Sequence, residues 1–379
     1  MSLQFKNPFS FLIRARNWYA RFERPISSLS LLGGFIFNIF ALTRVDQLKE
    51  NFWIAAHLLV VAGCIVFINR QENDEGDAVA LGANPAKLHF WLINILQFMF
   101  GGLLSTFLVF YFRSAVLSVA WPFLLVLIIA FIANESLKRH YARLYFQISF
   151  FFLSIFLFAI FLVPVILHDI NAVVFMVSGI VSVVVISLFI LLLGYTSRGS
   201  LGHNRSILFS LIAGIFIIVN ALYFLNFIPP LPLSLQDAGV YHSIVRTADG
   251  NYAVTYEKEA FIDRFKQSFS FYQTYHGSSN KPVYVFSAIF SPTDFTITTV
   301  HEWQKYDLVS KSWVTSGTVS LPVTGGREGG YRTYSAKVGL TTGKWRVNIK
   351  TATNQLLGRL IFNVVIDDTV PVLETDIKK

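Results

Sequence analysis

Charge is scarce and unevenly spread in this chain of 379 residues. Charged residues make up 14% of the sequence and apolar residues 54%, whereas a soluble globular domain carries about 25% charge. Residues 1–230 hold 15 Lys and Arg and nine Asp and Glu, against 16 and 13 in the shorter stretch 231–379. This distribution excludes a wholly soluble chain. It predicts that the first part lies in a membrane and that the second part is an ordinary folded domain.

Cysteine is nearly absent, since Cys64 is the only one in the chain. A single cysteine excludes an intramolecular disulfide and a cysteine metal cluster. A basic block with interleaved aromatic residues is also lacking, so a nucleic-acid partner is not expected. We attribute the nine excess positive charges to the cytoplasmic loops of a membrane protein, where Lys and Arg accumulate.

Seven segments are apolar and close to the length of about 20 residues that a helix needs to cross a bilayer. They cover residues 28–44, 52–69, 88–111, 115–134, 146–167, 171–195 and 206–227. The fifth is the most apolar, because 17 of its 22 residues are Leu, Ile, Phe or Val. The first is the weakest, because Gly33, Gly34 and Asn38 interrupt it. We predict an α-helical membrane bundle of seven transmembrane helices over residues 26–228.

The distribution of Lys and Arg predicts the orientation of these helices. If the N-terminus is cytoplasmic, the inside segments carry 12 Lys and Arg and the short outside loops carry three. This bias agrees with the positive-inside rule, and seven spans then place residues 231–379 outside the cytoplasm. Residues 1–25 are basic and amphipathic, with Phe5, Phe9 and Leu12 on one helical face. We expect this cytoplasmic segment to lie on the anionic inner leaflet.

Asp, Glu, Lys and Arg are missing from the middle of every predicted span. Proton-coupled pumps and ion pathways usually need such residues there. The polar residues that remain in the spans are Asn38, His57, Asn94, Gln97, Gln147 and Asn220. Amides of this kind more often join helices by hydrogen bonds. The alternative is a membrane-embedded enzyme or carrier that binds an amphiphilic envelope substrate through Asn94, Gln97 or His57.

The pattern changes after a Pro-rich linker, predicted at residues 229–239. Short stretches rich in β-branched and aromatic residues alternate with turn residues and predict strands. These strands cover 282–290, 295–303, 312–323, 331–338, 345–351 and 356–366. The Asp249-Gly250 pair predicts a hairpin, and residues 257–268 a short helix. Strands at this spacing indicate an all-β antiparallel sandwich of immunoglobulin-like type over residues 240–379.

Familiar catalytic motifs are lacking in this second domain. The stretch Gly339–Lys344 has one residue too few for a phosphate-binding loop and leads into a strand. His301-Glu302 does not continue as a zinc-protease motif, because Lys305 stands where the second His is required. The sequence therefore predicts no catalytic residue, no metal site and no cofactor, and leaves enzymatic activity uncertain.

One group of aromatic and basic residues forms a possible binding patch for a glycan or an anionic polymer. Its members are His301, Trp303, Tyr306, Arg332, Tyr334, Trp345 and Arg346. The structural alternative, which we favour, puts the Trp side chains in the core and the Arg side chains over its edge. Because neighbouring strand residues point to opposite faces, we predict that Trp345 is buried and Arg346 is not.

An ordered set of residues in the second domain resembles a bacterial family. The set is His301-x-Trp303, Gly325-Gly326-Arg327-x-x-Gly330-Tyr331-Arg332-x-Tyr334-Ser335-x-Lys337, Gly343-x-Trp345-Arg346-Val347 and Gly358-Arg359-x-x-Phe362-x-Val364. The family is catalogued as the domain of unknown function numbered 2914, and the resemblance covers about residues 280–366. It implies a bacterial envelope protein and no particular activity. The expected partners are the lipid bilayer and an envelope protein, glycan or lipid.

Overall fold

The structure, a computed structural model, describes most of the chain. The described residues are 29, 32–42, 47–71, 85–137, 140–141, 143–196, 205–258, 273–278, 280–292, 295–327, 329–366 and 372–378. The predicted amphipathic segment at 1–25 lies outside them. The predicted short helix at 257–268 also falls almost entirely outside them, since β-structure ends at Glu257 and description resumes at residue 273.

Seven helices are present in the described part of residues 29–228. They are α1 (Leu32–Ala41), α2 (Leu48–Gln71), α3 (Pro85–Ser114), α4 (Leu117–Ser136), α5 (Leu144–Leu167), α6 (Ala172–Thr196) and α7 (Arg205–Phe224). Helices α2 to α7 are long and apolar enough to cross a membrane. The prediction of an apolar helical region is therefore confirmed for six of the seven segments. Helix α1 has ten described residues, fewer than the roughly 20 that a span needs.

Eleven strands follow in the described part of residues 234–378, which we call the β domain. They are β1 (Ser234–Tyr241), β2 (Ser243–Arg246), β3 (Tyr252–Glu257), β4 (Gln273–Gly277), β5 (Val283–Phe290), β6 (Thr296–Asp307), β7 (Ser312–Thr324), β8 (Tyr331–Lys337), β9 (Gly343–Thr351), β10 (Leu356–Ile366) and β11 (Leu373–Lys378). The six predicted strands correspond to β5–β10. The hairpin predicted at Asp249-Gly250 is also confirmed: β2 pairs with β3, and Gly250 takes a positive φ of 77°.

The strands form three sheets. Their orders are β1-β5-β8, β4-β10-β9-β6-β7 and β11-β3-β2. All pairs are antiparallel except β4 with β10, which run parallel. The prediction of a purely antiparallel domain is therefore wrong at this one pair. Strand β4 begins at Gln273, after the undescribed residues 259–272.

The three-stranded sheet β1-β5-β8 and the five-stranded sheet share one hydrophobic core. Its buried side chains include Val240 and Val285 from the first sheet and Trp303, Trp345 and Phe362 from the second. Strand β1 supplies part of this core, although most of β1 falls within the predicted linker. The linker of 229–239 is thus shorter than predicted, because strand pairing starts at Ser234.

By compactness the chain divides into two units. The first comprises the described residues up to 110, 124–159 and 179–219, and the second comprises 111–123, 160–178 and 220–379. The second unit therefore contains the β domain together with the ends of several helices. Within it, Ile170 from the α5–α6 connection packs against the buried residues Leu233, Ile289 and Leu357. Leu231, in the short connection after α7, is only 3% exposed.

Gly325 marks a close approach of two chain segments next to the core. A Cβ atom at this position would lie 1.6 Å from the carbonyl oxygen of Pro292. The amide of Gly325 donates to the carbonyl of Phe295, and that of Gly326 donates to Ser291. The glycine cluster that follows β7 is therefore required by packing and turn geometry.

Candidate functional site

Strand alternation separates the core from a second surface on the five-stranded sheet. His301, Trp303 and Trp345 face the core and are 0%, 1% and 3% exposed. Their neighbours in sequence point the other way. Arg346 is half-buried there, with its guanidinium carbon 4.4 Å from the centre of the Trp313 ring. The prediction that Trp345 is buried and Arg346 is not is confirmed.

The residues proposed as a binding patch lie in three places. His301, Trp303 and Trp345 are in the core. Tyr306 and Arg346 lie on the opposite face of the five-stranded sheet, in register with Trp313 and Gln304. The last two patch residues belong to β8 in the other sheet: Arg332 donates to Asn251 Oδ1 (3.2 Å), and the Tyr334 ring lies 6.0 Å from that of Tyr252. The seven residues therefore form no single surface.

His301 is the centre of a buried hydrogen-bond network between the two sheets. Its ring nitrogens lie 2.9 Å from Ser287 Oγ and 2.9 Å from Ser335 Oγ. Ser287 continues to Thr333 (2.9 Å), and the Trp303 indole donates to Ser335 (3.1 Å). Burial lowers the pKa of His301 to about 4, so the ring is neutral at pH 7. Since the side chain is inaccessible, the network joins the sheets and does not contact a ligand.

The second surface, which we call the polar face, is the side of the five-stranded sheet that points away from the core. It consists of Glu302, Gln304, Tyr306, Trp313, Thr315, Arg346, Asn348, Lys350 and Arg359. Glu302 accepts from Lys350 Nζ (2.6 Å), Asn348 Nδ2 (3.0 Å) and Thr315 Oγ1 (3.1 Å). Burial alone would raise the pKa of Glu302, but these hydrogen bonds and the charge of Lys350 lower it. Glu302 is therefore ionised and already paired with a cation.

Two arginines of the polar face are held by buried amides. Arg346 Nε donates to Gln304 Oε1 (2.6 Å), and Arg359 Nε donates to Asn348 Oδ1 (2.7 Å). Asn348 Nδ2 in turn donates to Gln304 Oε1 (3.1 Å). Gln304 and Asn348 are only 8% and 2% exposed. The chain Arg346–Gln304–Asn348–Arg359 therefore fixes both guanidinium groups relative to each other.

Most of this surface is not evident from the sequence. Trp313, Gln304, Asn348 and Arg359 are distant in the chain, and they share a face only because of which strands are neighbours. The order β10-β9-β6-β7 is not the order of the strands in the chain. Alternation is a signal that the sequence does contain. It places residues 302, 304 and 306 together on one face of β6, and residues 346, 348 and 350 together on one face of β9.

Comparison with protein families identifies this region. Residues 297–364 match the family model described as "Protein of unknown function (DUF2914)". Residues 297–364 are a DUF2914 domain. The match runs from β6 into β10 and thus includes every residue of the polar face.

Other comparisons add no assignment to the DUF2914 domain. No curated protein matches the chain. Among solved structures, a similar one is the Pseudomonas fluorescens alkylpurine DNA glycosylase AlkC bound to DNA containing an abasic site analog. The identity is 8%, the match covers 85% of this chain and 99% of that chain, and the TM-score is 0.21. A TM-score this low supports no conclusion about fold or function.

The second unit contains a second polar cluster, whose residues precede the DUF2914 match in the chain. Glu257 accepts from both His242 Nε2 (3.0 Å) and His276 Nδ1 (2.8 Å), and His242 stacks on Tyr275. Burial alone would raise the pKa of Glu257, but the hydrogen bonds from the two histidines lower it. This cluster joins the β1–β2 connection, β3 and β4. Among the described residues, no three His, Cys, Asp or Glu side chains are grouped as metal ligands.

The polar residues of the helices form hydrogen bonds between and within helices. Asn38 of α1 donates to Ser105 Oγ of α3 (2.9 Å), and Asn69 of α2 donates to Gln147 Oε1 of α5 (2.9 Å). Gln97 of α3 donates to Glu135 Oε2 of α4 (3.0 Å).

Two of the three residues proposed to bind an amphiphilic substrate are engaged with their own helix. Asn94 donates to the Phe90 carbonyl (2.8 Å), and His57 Nδ1 lies 2.8 Å from the Trp53 carbonyl. The third, Gln97, bridges to α4. These contacts are those of amides and imidazoles that stabilise a helical bundle.

Proposed function

We propose that this protein is a multi-pass bacterial inner-membrane protein whose extracytoplasmic β-sandwich is a binding module, and that the polar face is its binding surface. One observation carries the proposal. The opposite face of the same sheet forms the core, whereas on the polar face buried amides hold Arg346 and Arg359, and no described carboxylate accepts a hydrogen bond from either arginine. A surface that serves folding alone has no need for two oriented and partly desolvated cations.

The orientation is supported by the charge distribution and by the helix count. With a cytoplasmic N-terminus, the inside segments carry 12 Lys and Arg and the short outside loops carry three, as the positive-inside rule requires. If α1 crosses the membrane together with α2–α7, the seven spans carry the β-sandwich to the other side. The second compact unit supports this arrangement, because it groups the α3–α4 and α5–α6 connections with the β domain. Alternate ends of the helices are then on one side.

The immunoglobulin-like sandwich is supported by the core that the two main sheets share. Val285 of β5 and Trp303 of β6 belong to one buried cluster, and His301 hydrogen-bonds across to β5 and β8. A sandwich of this kind leaves the outer sheet faces available for partners, and aromatic and arginine side chains are the types enriched at binding sites.

A second candidate function is a membrane-embedded carrier or enzyme for an amphiphilic envelope substrate. The observation that favours it is an apolar groove of about 580 Å³ between α6 and α7, with Tyr195 and Arg205 among its lining residues. None of His57, Asn94 and Gln97 lines this groove. The residues that the sequence suggested for such a substrate therefore do not support this function, and the binding module is the better-supported one.

A photo-crosslinker on the polar side of the sheet tests the binding module. Thr318 is exposed and stands opposite Glu302 in the β6–β7 pairing. With p-benzoylphenylalanine at position 318, illumination of intact cells should join the protein to an envelope component. Tyr334, 39% exposed on the other sheet, is the matched control position and should give no such adduct. Equal adducts at both positions, or none at position 318, would contradict a binding surface on this face.

A further inference from the structure

Arg346 and Arg359 lie on neighbouring strands of the polar face. In the β9–β10 pairing, Asn348 stands opposite Arg359 and Arg346 stands opposite Ile361. The two arginines are therefore diagonal neighbours on one face. The Cα atoms of residues in this relation lie about 7–8 Å apart. Burial lowers the pKa of Arg346, the charge of Arg359 lowers it further, and the charge of Glu302 opposes both effects. The two positive charges thus act on each other directly.

Each of the two guanidinium groups donates a hydrogen bond from its Nε atom. The other N–H donors of each group are on the Nη atoms, at the tip of the side chain. The hydrogen bonds to Gln304 and Asn348 use the Nε atoms. Among the described residues, none accepts a hydrogen bond from the Nη atoms of either arginine. An arginine that is fixed in this way loses little further freedom when it binds a planar oxyanion through two donors.

The charges of the polar face are unbalanced in favour of cations. Among the described residues of this face Glu302 is the single acid, and its oxygens accept from Lys350, Asn348 and Thr315. Arg346 stacks on Trp313 in place of an ion pair. Beside this ion-paired carboxylate the face carries the two arginines, so the charges of its described residues are net positive.

We infer that Arg346 and Arg359 form an oxyanion fork, which binds a phosphate or carboxylate group of the ligand between the two guanidinium groups. This inference rests on the proposed function and specifies the chemistry of its ligand. Paired arginines present N–H donors in the geometry that phosphate and carboxylate oxygens require. A phosphate or carboxylate occurs both in acidic polysaccharides and in lipid head groups, so the same fork serves either source.

The test uses the full-length protein in phosphatidylcholine nanodiscs, which carry no net charge and leave added vesicles intact, with three probes. These are inorganic phosphate, a galacturonic-acid oligomer with maltotriose as its neutral counterpart, and vesicles of phosphatidylglycerol in phosphatidylcholine. We expect Arg346→Gln and Arg359→Gln each to weaken binding of an anionic probe by about tenfold or more, since each removes a charge-assisted pair of hydrogen bonds. Maltotriose should not bind.

Two further variants separate the fork from general charge and from folding. Arg346→Lys keeps the charge but cannot form two parallel hydrogen bonds, so it should also weaken binding. Arg332→Gln removes the same charge from the other sheet, where Arg332 donates to Asn251, and should leave binding unchanged. If a glutamine variant fails to fold, the lysine variant provides the comparison.

The pattern of probes identifies the source of the oxyanion. Binding of the oligomer without the vesicles indicates an acidic polymer, binding of the vesicles without the oligomer indicates a lipid head group, and competition by phosphate supports the fork in both cases. The inference is overturned if no anionic probe binds, if Arg346 and Arg359 variants bind as the wild type does, or if Arg332→Gln weakens binding equally. A crosslink at position 318 together with failure of all anions would retain the binding surface and remove only the oxyanion chemistry.

Discussion

Replacing Trp345 with alanine should lower the free energy of unfolding of the β domain by about 3–5 kcal/mol, because a large buried aromatic side chain is lost from the core. Trp345 is 3% exposed, lies in one cluster with Trp303, Val347 and Phe362, and donates its indole N–H to the Thr341 carbonyl (2.8 Å). The full-length protein, denatured with urea in detergent, provides the measurement through protease resistance of the β domain.

Arg346→Ala is the matched control for this prediction, since it removes the adjacent side chain from the opposite face. It breaks the hydrogen bond to Gln304 and the contact with Trp313. Because this side chain is half-exposed, we expect a loss of only about 1 kcal/mol. Equal destabilisation by the two substitutions would contradict the assignment of the two faces.

Acidification from pH 7 to pH 5 should destabilise the β domain by about 2 kcal/mol through His301 alone. The folded protein keeps this imidazole neutral until its pKa of about 4, whereas the unfolded chain takes up a proton near pH 6.5. The unfolded state thus binds more protons throughout this window, and stability falls as the pH decreases through it. Urea midpoints measured at intervals between pH 7 and pH 5 give the dependence.

A His301→Asn variant identifies the residue responsible. It should be less stable at pH 7 and should lose most of the pH dependence between 7 and 5. Glu257 and Glu302 have lowered pKa values, so both stay ionised in this window and do not produce the same slope. His276→Gln is the control, because His276 lies outside the network of His301 and binds Glu257 instead. An unchanged slope in His301→Asn would show that another group is responsible.

Local structure of the β domain could be predicted from the sequence because alternation and turn residues are local signals. Strands β5–β10 and the hairpin at Gly250 were found in this way, and so was the burial of Trp345. The apolar helices were also evident, since their length and composition are enough to identify them. The described part of α1 has ten residues, so six of the seven predicted segments meet the length that a span needs.

The candidate site could not be predicted, because it depends on contacts between strands that are distant in sequence. Arg359 approaches Arg346 only through the β9–β10 register, and Trp313 reaches Arg346 across β6. The positions of aromatic and basic residues in the sequence do not show which face of which sheet each of them occupies. The predicted patch therefore joined buried His301 to exposed Tyr334, which lies on the other sheet.

The linker was misjudged for a related reason. Its prolines indicate the end of a helix, but burial depends on what lies next to it. Leu231 and Leu233 are 3% and 0% exposed, and Ile170 packs on the same cluster as Leu233. The connection is therefore part of a packed unit, and Ser234 already belongs to β1.

The side of the membrane on which the β domain lies tests the account most directly, because the account places the binding module outside the cytoplasm. Cys64 is first replaced by Ser, which removes the natural thiol. Val309, 92% exposed at the β6–β7 hairpin, is then changed to Cys in one variant, and Ser136, exposed at the end of α4, in another. Intact spheroplasts are treated with a membrane-impermeant maleimide. The account predicts that the Val309→Cys variant is labelled before lysis and the Ser136→Cys variant only after it; labelling of Val309→Cys only after lysis would contradict it.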